Sequence, residues 1–479
     1  MKYAKYAVLG LLWMAGAAVA QPSTLSLDSV VLPASAVKAQ ALAPLPLDVP
    51  VQTHFVQLPE LALEKALTSD ESAGPAQKIG LSRAVAATRT VAQTQSALQW
   101  TDLPTGGQAA AINIQSPGAY GLRAGVLVES LPDGAQLRIY SQERPDAIVE
   151  RSGAEINALL AQNESAGEIA AAARTWWTPD VGAGDATLEV VLPAGTAVDA
   201  LRISIPMVSH IYQNLSLPTD KELAEAFRAE ATMADDPASC ITDASCTDHY
   251  RSTRDAVARM MYTRSNGESY LCTGTLVNNT KDAFTPYFLT AHHCLFLQSA
   301  ASTLQTTWFY RSSRCDSNIP GANTAIRSAG ATLLYADKTT DTSLLKLNEM
   351  PPAGVTFAGW DASTPGQTAD AVYGLHHPAG SLLKLSTGEV SGYGSCYSDG
   401  GVIVECGEGD SEGDFYSVRW SQGITMAGSG GSALFRNHRL IGTLWGGAST
   451  CEAPVFTQYY GRFDKVFNAS LWHWLANND

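Results

Sequence analysis

The first 239 residues of this 479-residue chain contain no cysteine; all eight lie between Cys240 and Cys451. No paired Cys-x-x-Cys sets occur, which argues against the common structural zinc sites, and an even cysteine number in an exported chain favours disulfides. Basic residues are also scarce. Lys plus Arg number 31 against 46 Asp plus Glu, a net charge of −15. Phosphate backbones and anionic lipid surfaces call for a basic face, so neither nucleic acid nor a membrane is expected as a partner. After the first twenty residues no apolar run is long enough to span a bilayer. The chain has no internal repeat.

What is present is ample core-forming material, with 45% hydrophobic and 16% charged residues. A chain this long is expected to form at least two domains. Its N-terminus, MKYAKYAVLGLLWMAGAAVAQ, sets Lys2 and Lys5 before an apolar stretch that ends in Ala18-Val19-Ala20. That layout predicts a secretory signal over residues 1–20, cut after Ala20, and a secreted product. Residues 21–99 are rich in Ala, Pro, Leu and Ser with little period, and read as a loosely ordered pro-region. Residues 100–235 carry short alternating runs such as "GAYGLRAGVLVES" and "ATLEVVLPAG", bounded by Gly, Pro or Asp, as in a β-sandwich. The stretch "PTDKELAEAFRAEATMA" closes this region as a helix. The cysteine-bearing part, 240–479, again reads as many short strands, and "FDKVFNASLWHWLAN" predicts a closing amphipathic helix. A cysteine-free unit before a disulfide-rich β-unit is the layout of a secreted zymogen.

Three segments of the second unit carry chemistry. "FLTAHHC" places His293 after a strand and directly before Cys294, which can tie to Cys272; a disulfide beside a general base would hold it still. "KTTDTSLLKL" offers Asp341 at a loop-to-strand junction, a position suited to orienting a histidine and stabilising its imidazolium. "AGSGGSALF" supplies a serine on a glycine-rich turn whose backbone N–H groups can form an oxyanion hole. The chain order His, Asp, Ser is one of several known for this triad.

With these segments, "SCITDASC", "CTGTLVNN", "PPAGVTFAGW", "LHHP" and "GTLWGG", the C-terminal unit resembles the bacterial lysyl endopeptidases, chymotrypsin-class serine proteases. The N-terminal region resembles their propeptides around "VVLPAG" and "LRISIPMVS". The resemblance implies an all-β fold: a chymotrypsin-like pair of six-stranded antiparallel barrels with the site between them, after a mainly β propeptide domain. It implies that His293, not His292, is the base and that Asp341 orients it. It also implies the disulfides Cys240–Cys451, Cys246–Cys315 and Cys272–Cys294, which leaves Cys396 to pair with Cys406. Protein or peptide substrates and the chain's own propeptide are the partners implied, with no cofactor or metal, and a monomer after maturation.

The nucleophile admits two registers. Read as Gly-x-Ser-Gly-Gly, the motif makes Ser429 the attacking residue, with oxyanion donors drawn from Gly428, Ser429 and Gly430. Setting Ala433 and Leu434 on the family's following strand instead puts Gly430 at the nucleophile position, and the barrel would then be a peptide-binding pseudoprotease. The substrate pocket departs as well. Trp445, Gly446 and Gly447 would line it and pair with substrate backbone, but Gln458 stands where the family has the Asp that holds a lysine ammonium. A buried ammonium without a carboxylate is costly, so a neutral side chain at P1 fits as well as lysine. "ATMADDPASC" has no Lys or Arg near the expected processing point, so self-cleavage at a lysine is not expected there. The acidic run 404–415 lacks EF-hand spacing and reads as a solvated loop rather than a calcium site. The adjacent His376 and His377 point to opposite faces of a strand and are not expected to share a metal.

Overall fold

The strands Gln108–Gln115 and Asp185–Leu192 pair antiparallel, with Ile112 opposite Leu188 and Ile114 opposite Ala186. They sit at the centre of a six-stranded sheet completed by Thr53–Gln57, Thr101–Asp102, Gln136–Ser141 and Arg144–Ser152. A second layer, formed by Thr175–Trp177, Gly121–Ser130, Arg202–Ile211 and Gln77–Ala84, packs against it. Ile112, Leu137 and Leu188 from one sheet meet Val126, Ile203 and Ile205 from the other in a single core. This is the β-sandwich expected of the N-terminal unit. The structure is a computed structural model that describes residues 24–37, 43–68, 76–168, 170–218, 221–225, 240–282, 284–399, 402–447, 449, 451 and 457–476. The expected signal sequence, most of the helix at 218–234 and the processing point near 235 lie outside these residues.

One expectation for the N-terminal half is corrected. The region 21–99, read as loosely ordered, contributes the strands Ser26–Leu27, Val30–Val31, Thr53–Gln57 and Gln77–Ala84, and the helix Val91–Ala97. Each of these strands pairs with partners far along the chain, so a local period says little about them. A further helix, Gly153–Ser165, starts at a capping box in which Ser152 accepts from the Glu155 N–H and Glu155 accepts from the Ser152 N–H. The Ser152-x-x-Glu155 spacing is the signal that could have found it.

The C-terminal unit is built from two barrels. The first comprises Val257–Thr263, Ser269–Val277, Tyr287–Thr290, Gln305–Trp308, Ala325–Arg327, Ala331–Asp337 and Thr342–Leu347. The second closes on itself through six strands: Arg439–Gly446, Ala433–Arg436, Ala371–His376, Lys384–Asp399, Phe415–Gln422 and Thr457–Arg462, which returns to Arg439–Gly446. A helical C-terminus follows, from Phe463–Val466 through Phe467–Leu471 to Trp472–Leu475. Phe463, Phe467, Leu471 and Leu475, four residues apart along the chain, all point into the core between the barrels. Among the described residues no helix is long and apolar enough to cross a membrane.

The two units share a sheet. Gln77–Ala84 adds to the edge of Ser269–Val277, with Gly80 opposite Ser269 and Lys78 opposite Tyr270. A Cβ at Gly80 would lie 2.8 Å from Ser209 Oγ and 2.9 Å from Ser269 Cβ, so only glycine lets the strands approach this closely. Buried Arg123 crosses the junction and donates to Thr263 Oγ1 and to the Thr303 carbonyl.

Candidate active site

Tyr287–Thr290 pairs with Thr342–Leu347, Thr290 opposite Ser343, so the residues just beyond the two paired ends come together. Those residues are His293 and Asp341. Asp341 adopts φ +50°, a turn conformation that Asp tolerates, and is buried. Its Oδ2 lies 2.6 Å from His293 Nδ1, and its Oδ1 accepts the His293 N–H at 2.8 Å. Its own carbonyl accepts the His292 N–H at 3.1 Å. The carboxylate therefore holds the imidazole through ring and backbone at once, and because it can only accept, the neutral ring carries its proton on Nδ1 and presents Nε2 as an acceptor. Cys272–Cys294 pins the same loop to Ser269–Val277. The neighbouring His292 stacks on Phe296 with ring centroids 5.0 Å apart, and burial lowers its pKa.

The glycine-rich turn reaches this dyad from the second barrel. The Gly430 carbonyl accepts from Thr273 N, next in chain to Cys272, at 2.9 Å and lies 3.7 Å from Cys294 Sγ. Position 430 thus sits against the histidine loop. Ser429 faces the other way: its buried Oγ is 3.0 Å from His376 Nδ1 and accepts the Met426 N–H at 3.2 Å. His376 Nε2 in turn meets Ser386 Oγ at 2.9 Å. Among the described residues no hydroxyl lies within hydrogen-bond reach of His293 Nε2, whose neighbour is Cys294 Sγ at 3.3 Å.

The backbone of the turn follows the same register. Gly428 and Gly431 have φ of +92° and +85°, and a Cβ on Gly431 would lie 2.2 Å from Thr290 Oγ1. The Ser429 N–H is already donated to the Met426 carbonyl, so it is not free as an oxyanion donor, contrary to expectation. The Gly428 and Gly430 N–H groups have no acceptor among the described residues. Sequence reasoning separated His376 and His377 by face but missed that His376 holds Ser429. No local spacing signals that contact, because the two residues meet only through the closure of the second barrel.

The expected pocket residues lie on two paired strands, Arg439–Gly446 and Thr457–Arg462, and just after the first. Trp445 is half-buried with its ring edge-on to Tyr459, and Gly446 and Gly447 follow. Gln458 is fully buried, and its Oε1 accepts from Thr425 Oγ1 at 2.7 Å. A Cβ on Gly447 would lie 2.4 Å from Gln458 Oε1, so the carboxamide packs flat against that glycine. All four expected disulfides are formed, Cys240–Cys451, Cys246–Cys315, Cys272–Cys294 and Cys396–Cys406. The acidic run 404–415 includes part of the hairpin strand Val402–Gly409. In the turn after it Asp410 caps the Glu412 N–H, and the Ser411 and Gly413 carbonyls accept from Arg462.

Two domain profiles match the chain: that of the lysyl endopeptidase C-terminal domain over residues 234–461, and that of the N-terminal domain over residues 54–212. A lysyl endopeptidase from Pseudomonas aeruginosa is 32% identical over 434 residues, 87% of this chain and 85% of its own length. The chain belongs to the lysyl endopeptidase family. By family it is a serine endopeptidase of the chymotrypsin class, and its C-terminal unit has the double barrel of that class. A secreted RxLR effector protein of Plasmopara viticola is 30% identical over 167 residues, 33% of this chain and 39% of that protein. Among solved structures, a serine endoprotease from Yersinia pestis aligns at 16% identity and a TM-score of 0.32, covering 47% of this chain and 66% of the other.

Proposed function

We propose that the chain is exported as a precursor, loses its propeptide and acts as an endopeptidase on protein substrates. The observation that carries this reading is the His293–Asp341 pair at 2.6 Å, braced by a disulfide where the two barrels meet. In the reaction Ser429 Oγ exchanges its bond to His376 for one to His293 and attacks the scissile carbonyl carbon. His293 Nε2 takes the hydroxyl proton, Asp341 stabilises the imidazolium, and the Gly428 and Gly430 N–H groups donate to the oxyanion. The proton then passes to the leaving amine as the C–N bond breaks, and a water, giving its proton to His293, attacks the resulting ester, releasing the acid product and restoring the Ser429 hydroxyl. Substrate backbone pairs along Trp445–Gly447, and the neutral Gln458 favours an uncharged P1 side chain over lysine. The N-terminal unit touches the site region through Gln213, which donates to the Ala379 carbonyl, while the Ala379 N–H donates to Ala427 O. That contact supports a precursor whose reactive turn is held at rest. A fluorophosphonate probe tests the reading. Labelling of the processed chain, lost in Ser429→Ala together with turnover, is the expected result.

The position of Gly430 favours a second reading. The residue seated between Thr273 and the Cys272–Cys294 bridge is a glycine, with a free N–H two residues after that of Gly428. On this reading the barrel grips extended polypeptide without cutting it. Gly430→Ser separates the two accounts. If Gly430 occupies the attacking position, the wild type takes no probe and the substitution creates both labelling and hydrolysis.

A further inference from the structure

The segment 24–32 lies outside both profile-matched stretches, yet it is built into the protease domain. Ser26–Leu27 pairs antiparallel with Trp360–Asp361, and Val30–Val31 with Thr356–Phe357. Beyond these strands the Ala362 N–H donates to Leu25 O, the Leu32 N–H to Val355 O, and the Gly354 N–H to Leu32 O. Asn278 Nδ2 donates to the Asp28 carbonyl at 2.8 Å, and the Gly359 N–H to Ser29 Oγ at 2.9 Å. The chain passes so close to Gly359 that a Cβ there would lie 2.3 Å from Leu27 O.

The side chains enter two different cores. Leu32 is fully buried in the first-barrel core with Trp308 and Phe357. Leu27 packs against the core between the barrels that holds Trp360 and Phe467. The segment thus spans the connection between the barrel that supplies His293 and Asp341 and the barrel that supplies the turn at 428–430. None of these contacts involves the β-sandwich. The link from this segment to the sandwich contains Pro44, Pro46 and Pro50; the Leu45 side chain within it is 79% exposed, while its carbonyl accepts from Arg138 of the sandwich.

We propose that residues 24–32 are a strap held by the protease domain itself, seated in an extended-peptide groove along Val355–Ala362, and that they stay there when the propeptide domain is cut away. The backbone supplies affinity by strand addition and Leu32 supplies the anchor. The groove is a binding site for an extended segment carrying a buried leucine, separate from the catalytic turn, and it holds whichever of the two readings of that turn is correct.

The test uses the full-length chain with recognition sequences for a sequence-specific protease inserted at Leu45–Pro46 and within 231–239. After both cuts and dilution to micromolar concentration, the expected result is that the N-terminal peptide co-elutes with the protease domain and is found by intact mass. Leu32→Ala should speed its release at least about 30-fold, the effect of removing one buried leucine side chain. Asp28→Ala, which removes the exposed ion pair to Arg439, should change release less than about 5-fold. Loss of the native peptide on the column while the protease domain remains folded overturns the proposal. So does a Leu32→Ala peptide retained as tightly as the native one. Neither readout depends on hydrolysis.

Discussion

At the scale of single residues, charge and direction decide what the site can do. Asp341 touches both the ring and the backbone N–H of His293, so Asp341→Asn would keep the shape and present the wrong tautomer to the reaction. In the hydrolysing chain this substitution is expected to lower kcat by about 10⁴-fold with KM little changed, read from steady-state cleavage of a peptide library. Gly431 is the residue most tightly enclosed in the turn. With φ +85° and a Cβ position 2.2 Å from Thr290 Oγ1 and 2.4 Å from Thr273 O, it has no room for a side chain. Gly431→Ala should cost roughly 2–5 kcal/mol, seen as a lower urea midpoint. The Ser429 hydroxyl points at a histidine, as a nucleophile should, but the histidine is His376. Burial lowers His376 to a pKa of about 3, so it stays neutral across the working range, with one ring nitrogen against the Ser429 hydroxyl and the other against that of Ser386.

At the scale of elements, the histidine loop is held by one strand pairing and one covalent bridge. Cys272–Cys294 closes a separation of 22 residues. Replacing both cysteines with alanine should remove about 3 kcal/mol from unfolding in guanidinium, and should lower substrate turnover beyond what the stability loss explains. The helix Gly153–Ser165 depends on its capping box in the same local way. Ser152→Ala is expected to cost about 1 kcal/mol, measured on the unfolding transition of the N-terminal unit. The strand Gln77–Ala84 shows the opposite dependence. Its place is set by partners more than a hundred residues away on either side, and neither period nor propensity within the strand reveals which edges it joins.

At the scale of the whole molecule, three buried histidines make stability depend on acid. Burial lowers His376 and His377 to about 3 and His210 to about 4, each below its value of about 6.5 in the unfolded chain. Below pH 6.5 the unfolded state therefore binds more protons than the native state. The stabilisation is fully present above pH 6.5 and is lost as pH falls towards 3, at about 1.4 kcal/mol per pH unit for each histidine. Asp180 and Asp255, raised by burial, act in the opposite sense at the acid end. Thermal melting from pH 7.5 to 4.5 should show the midpoint falling below pH 6.5, with a shallower slope in His376→Gln.

Composition and local pattern by themselves determined the split into a cysteine-free and a cysteine-bearing unit and the β character of both, and they offered His293 and Asp341 as candidates; the choice of His293 over His292 came from the family resemblance. These signals are short-range: a residue type, its neighbours, and the end of an apolar run. The direction of the Ser429 side chain was decided only by tertiary structure, because adjacent residues of a tight turn face opposite sides and the choice depends on which neighbour packs beneath. So was the seating of residues 24–32, whose apolar positions look like any pro-segment until Leu32 is found inside a core formed more than two hundred residues later. A linear sequence carries no record of which distant surface will remove a side chain from water, and burial is what fixed both outcomes.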